Sequence, residues 1–299
     1  MISRQIPSRG TGSPHVLGFH DRPTGSAQFL VWDPATKAAA LIDVVQEFDP
    51  RNAATSHRAA AWALEQVAER GLRLDWILDT HPHADHLMAS DWLRAQTGAP
   101  NAIGEKLRDI AALWEGIYNT PGAFDPDRDF DRLLADGETF PLGDLQVRVM
   151  LHPGHTLGSI TYVIGDAAFV HDTFMQPQIG TSRADFPGGS ASQLYDSLQS
   201  ILSLPDDTRL FVGHDYQDDP QWESTVAEQR ARNRHVGGDT SREDFIALRE
   251  ARDATLPLPD RILHALQVNL RAGRLPQPES DGNSYLKIPV NRFPSSRDS

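Results

Sequence analysis

A chain of 299 residues with 28 basic and 41 acidic side chains carries a formal charge of −13, which sets it against nucleic acid and anionic membrane surfaces. It has no cysteine, so disulfides, thiolate metal sites and a cysteine nucleophile are excluded, and a transition metal would have to be held by His, Asp and Glu. The opening "MISRQIPSRGTGSPHV" has no apolar targeting core, and no later run approaches the roughly 18 apolar residues of a membrane span, so the sequence reads as cytoplasmic with neither nucleic-acid nor membrane partners.

In chain order, "AQFLVWD" and "AAALIDVV" are apolar runs bounded by turn residues and read as strands. "SHRAAAWALEQVAERG" follows with helical spacing and stops at a glycine. "DWILDT" is the next strand; it runs into "THPHADH" and then "DHLMASDWLRAQ", which has helical character. "LQVRVML", "SITYVIG" and "AAFVHD" read as strands, "SASQLYDSLQSILSLP" as a helix capped by Ser190 and ended by Pro205, and "TRLFVG" as a strand. Strands at hairpin spacing with helices only at intervals predict an α+β chain with two sheets face to face and helices outside.

The last part reads differently. "TSREDFIALREARDATL" opens on a capping signal and "PDRILHALQVNLRAG" follows with helical spacing, so residues 1–236 are expected to form a catalytic domain and 237–299 a mainly helical extension packed on it. The apolar residues of "LQVNLRAGRLPQP" and "YLKIPVNRF" are expected to be buried, covering a sheet edge or supporting a homodimer.

The chemistry concentrates in "THPHADH", where His81, His83, Asp85 and His86 fall within six residues at an expected strand-to-helix turn. Alternation sends His81 and His83 to the same side of an extended segment. Further ligand types stand at the ends of later strands: His155 in "LHPGHTLGS", Asp172 in "AAFVHDTFM" and His214 in "LFVGHDYQ". Isolated histidines such as His15, His20, His57, His152 and His264 read as packing residues.

This ligand series resembles the metallo-β-lactamase superfamily, whose H-x-H-x-D-H motif is met by His81 to His86 and whose later His, Asp and His are met by His155, Asp172 and His214. The resemblance covers roughly residues 20 to 236. It implies an αββα sandwich with the metal site at its edge. In a two-metal member His81, His83 and His155 would hold one ion, Asp85, His86 and His214 the other, and Asp172 would bridge.

Downstream, Arg183 to Phe186, the "LPDDT" approach to "HDY" and "STVAEQR" look like the persulfide dioxygenases and their bacterial β-lactamase-like relatives. That resemblance implies one Fe(2+) per chain on His81, His155 and Asp172, with His83, Asp85, His86 and His214 around it, and oxidation by O2 of a low-molecular-weight persulfide such as glutathione persulfide to sulfite and thiol. Tyr216 is implied as a hydrogen-bond partner of substrate or oxygen, and Arg183 as a residue shaping the pocket or held in a salt bridge. His235 stands where some members have a glutathione-contacting arginine. His171 stands where the family commonly has glycine before the Asp. The competing expectation is a hydrolase of the glyoxalase II or lactonase type with two zinc, iron or manganese ions on all seven ligands.

Overall fold

A computed structural model of the chain describes residues 1–293. Its strands run β1 (Ile2–Ile6), β2 (His15–Asp21), β3 (Ser26–Trp32), β4 (Ala38–Ile42), β5 (Val45–Asp49), β6 (Ala54–Ser56), β7 (Arg73–Leu78) and β8 (Leu87–Met88). They continue as β9 (Asn101–Gly104), β10 (Arg132–Leu134), β11 (Thr139–Leu142), β12 (Leu145–Leu151), β13 (Ile160–Ile164), β14 (Ala167–His171), β15 (Arg209–Val212) and β16 (Glu223–Thr225). The helices are α1 (Arg58–Glu69), α2 (Ser90–Thr97), α3 (Leu107–Tyr118), α4 (Pro126–Asp129), α5 (Ala191–Leu202), α6 (Val226–Arg232), α7 (Arg242–Asp253) and α8 (Ile262–Asn269).

The period of two along β3 sorts its side chains onto two faces: Ala27, Phe29 and Val31 join the core between the sheets, while Leu30 and Trp32 join a second core under helices. β4 does the same, with Ala38, Ala40 and Ile42 inward and Ala39 and Leu41 outward. One sheet has the order β1-β2-β3-β4-β7-β9-β10 and the other β11-β12-β13-β14-β15-β16, with a small sheet β6-β5-β8 beside them. Between the two large sheets the rings of Phe29, Phe169 and Phe211 meet at centroid distances of 5.0 to 5.5 Å. Burying each ring contributes roughly 2 kcal/mol. Ala60, Ala63 and Val67 of α1 and Leu93 of α2 cover the outer face of the first sheet. Leu194, Leu198 and Ile201 of α5 join the core with the second sheet. This is the αββα sandwich, with further helices after residue 240.

Two differences from the sequence expectation have local causes. The helix expected from Asp85 onward begins only at Ser90, because Leu87 and Met88 pair as a short strand with Gln46 and Val45. "YLKIPVNRF" forms no strand: Pro289 lacks an N–H for a ladder, and Tyr285, Ile288 and Val290 are exposed rather than buried. Its anchor is Gln267 of α8, which donates to the Lys287 carbonyl at 3.0 Å and accepts from its N–H at 2.9 Å. No helix among the described residues is long and apolar enough to cross a membrane.

Candidate metal centre

All seven ligand-type residues converge at one edge of the sandwich, because each follows the carboxyl end of a strand. His81 to His86 follow β7, His155 follows β12, Asp172 follows β14 and His214 follows β15. β14 and β15 are parallel neighbours, which sets Asp172 and His214 side by side, with His214 Nε2 3.3 Å from Asp172 Oδ1. A Cβ at Gly213 would lie against Asp172 Oδ1, so glycine is what lets β15 end so close to this carboxylate.

The ligands fall into two groups. One ligand atom from each of His81, His155 and Asp172 lies within 4.8 Å of the others, and the same holds separately for His83, Asp85 and His86. In the first group Asp172 Oδ2 is 3.6 Å from His81 Nε2 and 3.4 Å from His155 Nε2. His214 lies between the groups, also 3.7 Å from Asp85 Oδ1. His81 Nε2, both ring nitrogens of His83, His86 Nε2 and Asp172 Oδ1 are buried with no hydrogen-bond partner. Such buried, convergent and unsatisfied donors and acceptors fit a cation as the missing partner.

Surrounding residues aim these rings. His81 Nδ1 meets Thr80 Oγ1 at 3.0 Å, and His155 Nδ1 donates to the Arg183 carbonyl at 2.8 Å, which turns each Nε2 toward Asp172. Ser26 Oγ reaches Asp85 at 3.0 Å and His86 Nδ1 at 3.1 Å. His83 is drawn elsewhere: its Nε2 lies 3.1 Å from Oδ1 of Asp43, a buried carboxylate at the end of β4 that also accepts from Thr80 N and Oγ1 at 2.8 Å.

Protonation follows this layout. Burial, followed by the neighbouring imidazoles, holds His81 well below its usual pKa, and burial lowers His155. Burial would raise the Asp172 carboxyl, but His214 and His155 outweigh it and hold it ionised. Burial also opposes charging His83 and His214; Asp43 outweighs it for His83, while Asp172 and Asp85 push His214 up to about 10. His81, His155 and Asp172 are thus in ligating states, while Asp43 favours the proton on His83.

The profile of the metallo-beta-lactamase superfamily matches residues 20–214. The chain belongs to this superfamily. A beta-lactamase hydrolase-like protein of Xylella fastidiosa is 54% identical over 282 residues, 93% of this chain and 65% of the relative, so the chain spans about two thirds of that relative's length. The mitochondrial persulfide dioxygenase ETHE1 of Homo sapiens is 30% identical over 275 residues, 90% of this chain and 94% of the relative. The crystal structure of ETHE1 from Myxococcus xanthus aligns with a TM-score of 0.69 at 32% identity, covering 92% of this chain and all of that one. Its two groups of His and Asp side chains are of the kind that could hold a metal ion.

A cavity of about 430 Å³ opens onto the centre, floored by His155, Asp172 and His214 and walled by Met175, Ile179 and Phe186. The segment "TFMQPQIGTS" supplies Met175, Ile179 and Thr181 to it. Tyr216 lines the cavity with its ring stacked on His214 at 5.6 Å, and its hydroxyl has no hydrogen-bond partner among the described residues. A second cavity, of about 490 Å³, reaches His86 from the side of β5.

Two of the expected substrate contacts are occupied otherwise. The Arg183 guanidinium donates to Asp185 at 2.6 and 2.7 Å and to the Pro257 carbonyl at 2.6 Å, so its salt bridge, rather than a free charge, shapes the wall. His235 sits behind the wall, 5% exposed, with Nδ1 accepting from Thr181 N at 3.0 Å. His171 takes φ 40, a backbone that glycine adopts without strain, and its ring packs 4.8 Å from that of His81. His152 is a packing residue between Thr161 and Ser200.

Several residues that support the centre lie outside the ligand series. Asp43 carried a usable signal, an acid at the end of the strand-like "AAALIDVV". Asn269 of α8 carried none: it donates to the carbonyls of His83 at 2.7 Å and His86 at 2.8 Å and accepts from Met88 N at 2.8 Å, from more than 180 residues away. Arg249 and Asp253 of α7 form a buried ion pair that grips the cavity loop. Arg249 donates to the Thr181 carbonyl at 3.2 Å and Asp253 accepts from Ala184 N at 2.8 Å.

Proposed function

We propose that the chain is a mononuclear non-haem iron persulfide dioxygenase. The observation that carries this reading is the division of the ligands: His81, His155 and Asp172 converge as two imidazoles and one carboxylate, while His83 groups with Asp85 and His86 and lies 3.1 Å from Asp43. A set of that kind leaves open positions on a ferrous ion for substrate and oxygen. The likeness to the human protein named persulfide dioxygenase, over 90% of the chain, supports it.

The net reaction is RSSH + O2 + H2O → RSH + SO3²⁻ + 2H⁺. The S–S bond breaks, the outer sulfur is oxidised from the persulfide level to sulfite and dioxygen is the oxidant. Bound ferrous iron would supply the redox partner that lets dioxygen react with a sulfur anion. The protein's part is positional. Thr80 and the Arg183 carbonyl fix the two ligand rings, and Tyr216 offers a free hydroxyl at the mouth. Met175, Ile179 and Phe186 give the stem of the thiol an apolar wall, and the lack of cysteine leaves no protein thiol to exchange with a persulfide.

A second reading is favoured by the group His83, Asp85 and His86, which could hold another ion and make a two-metal hydrolase of thioesters or lactones. Protein purified without oxygen and loaded with iron separates the two. The expected result is about one iron per chain, oxygen uptake with glutathione persulfide and sulfite as product. Two metals per chain with thioester turnover and no oxygen uptake would overturn it.

A further inference from the structure

Three arginines line the cavity, and they are not equivalent. Arg183 is neutralised by Asp185 and Arg249 by Asp253, so neither has charge to spare for a ligand. Arg252, in the last turn of α7, is exposed, and among the described residues its guanidinium has neither a carboxylate within ion-pair distance nor a hydrogen bond. It shares the wall with Ile179 and Leu256, so an uncompensated cation stands beside an apolar strip. At the floor Asp85 and Asp172 are both paired with His214, so Arg252 is the uncompensated cation of the wall, on a chain that is strongly acidic as a whole. Its guanidinium offers the planar, two-pronged donor geometry that carboxylates accept.

From this we infer that Arg252 is the residue that sets carrier specificity, by recognising a carboxylate at the end of the substrate away from the reacting sulfur. The inference rests on the dioxygenase reading for the reacting sulfur, but the carboxylate contact stands on the cavity itself. Its plain competitor is a surface cation favourably placed at a helix carboxyl terminus, which would affect helix stability and nothing else.

Oxygen uptake by the iron-loaded full chain distinguishes the two, with glutathione persulfide and the neutral-stemmed pantetheine persulfide as paired probes. In Arg252→Gln the KM for glutathione persulfide should rise roughly tenfold with kcat within about twofold, the KM for pantetheine persulfide should stay put, and Arg252→Lys should restore part of the loss. Equal changes for both carriers, or a lowered melting temperature with neither KM changed, would overturn the assignment. Calorimetric titration with glutathione itself keeps the test independent of turnover. If no carrier supports oxygen uptake, the dioxygenase reading fails, yet weaker glutathione binding by Arg252→Gln than by wild type still supports the carboxylate site, and equal binding overturns it.

Discussion

Gly213 shows how narrowly single residues define the centre. Because a methyl there would press on Asp172 Oδ1, Gly213→Ala should displace the one carboxylate shared by His81, His155 and His214 while leaving the sheets intact. Metal affinity should fall by about 10 to 100-fold in a chelator competition, with an unchanged circular dichroism spectrum; unchanged affinity would show that the carboxylate is not a ligand. His152 makes a prediction away from the metal. Burial lowers its pKa to about 4, against about 6.5 in an unfolded chain, so between these values only the unfolded state takes up the proton. Its contribution is therefore complete above pH 6.5 and is lost as pH falls toward 4, on the order of 3 kcal/mol. Urea titrations at pH 7 and pH 4 should show that much less acid sensitivity in His152→Gln than in wild type; equal slopes would reject the assignment.

At the scale of elements, the long and regular ones were legible and the short or borrowed ones were not. The run "LQVRVML" coincides with β12 because its buried and exposed residues alternate, and Ser190 caps α5 as expected, accepting from Gln193 N. β8, two residues long, exists only through its pairing with β5, a contact that no local pattern announces. The same limit hid Asn269, whose role depends on where α8 lands. Replacing it by leucine, close in size but unable to hydrogen bond, would leave two buried carbonyls and the Met88 N–H without partners. Asn269→Leu should lose about 10 to 100-fold in metal affinity, measured by chelator competition, because the loop bearing His83, Asp85 and His86 is freed. Full affinity in a folded variant would mean that the loop holds its shape unaided.

Across the whole molecule, the residues that bear the chemistry lie within the part that the superfamily profile matches, and were legible as ligand types at strand ends. The separation of His81, His155 and Asp172 from the other ligand types was implied by the resemblance, but the place of Asp43, 3.1 Å from His83 across parallel strands, was not legible. Nor was the part played by the last helices. α7 reaches His155 through the Thr181–Ala184 loop, and α8 reaches the first motif through Asn269, so one C-terminal segment touches both halves of the centre. Any free energy that a bound ion adds to these loops must then also tighten the helices that hold them, and the coupling runs equally in reverse. Stripping the ion with a chelator should speed protease cleavage between residues 254 and 261, and restoring it should slow cleavage again. The C-terminal helices would thus report on metal occupancy, and anything that loosens them would let the ion go.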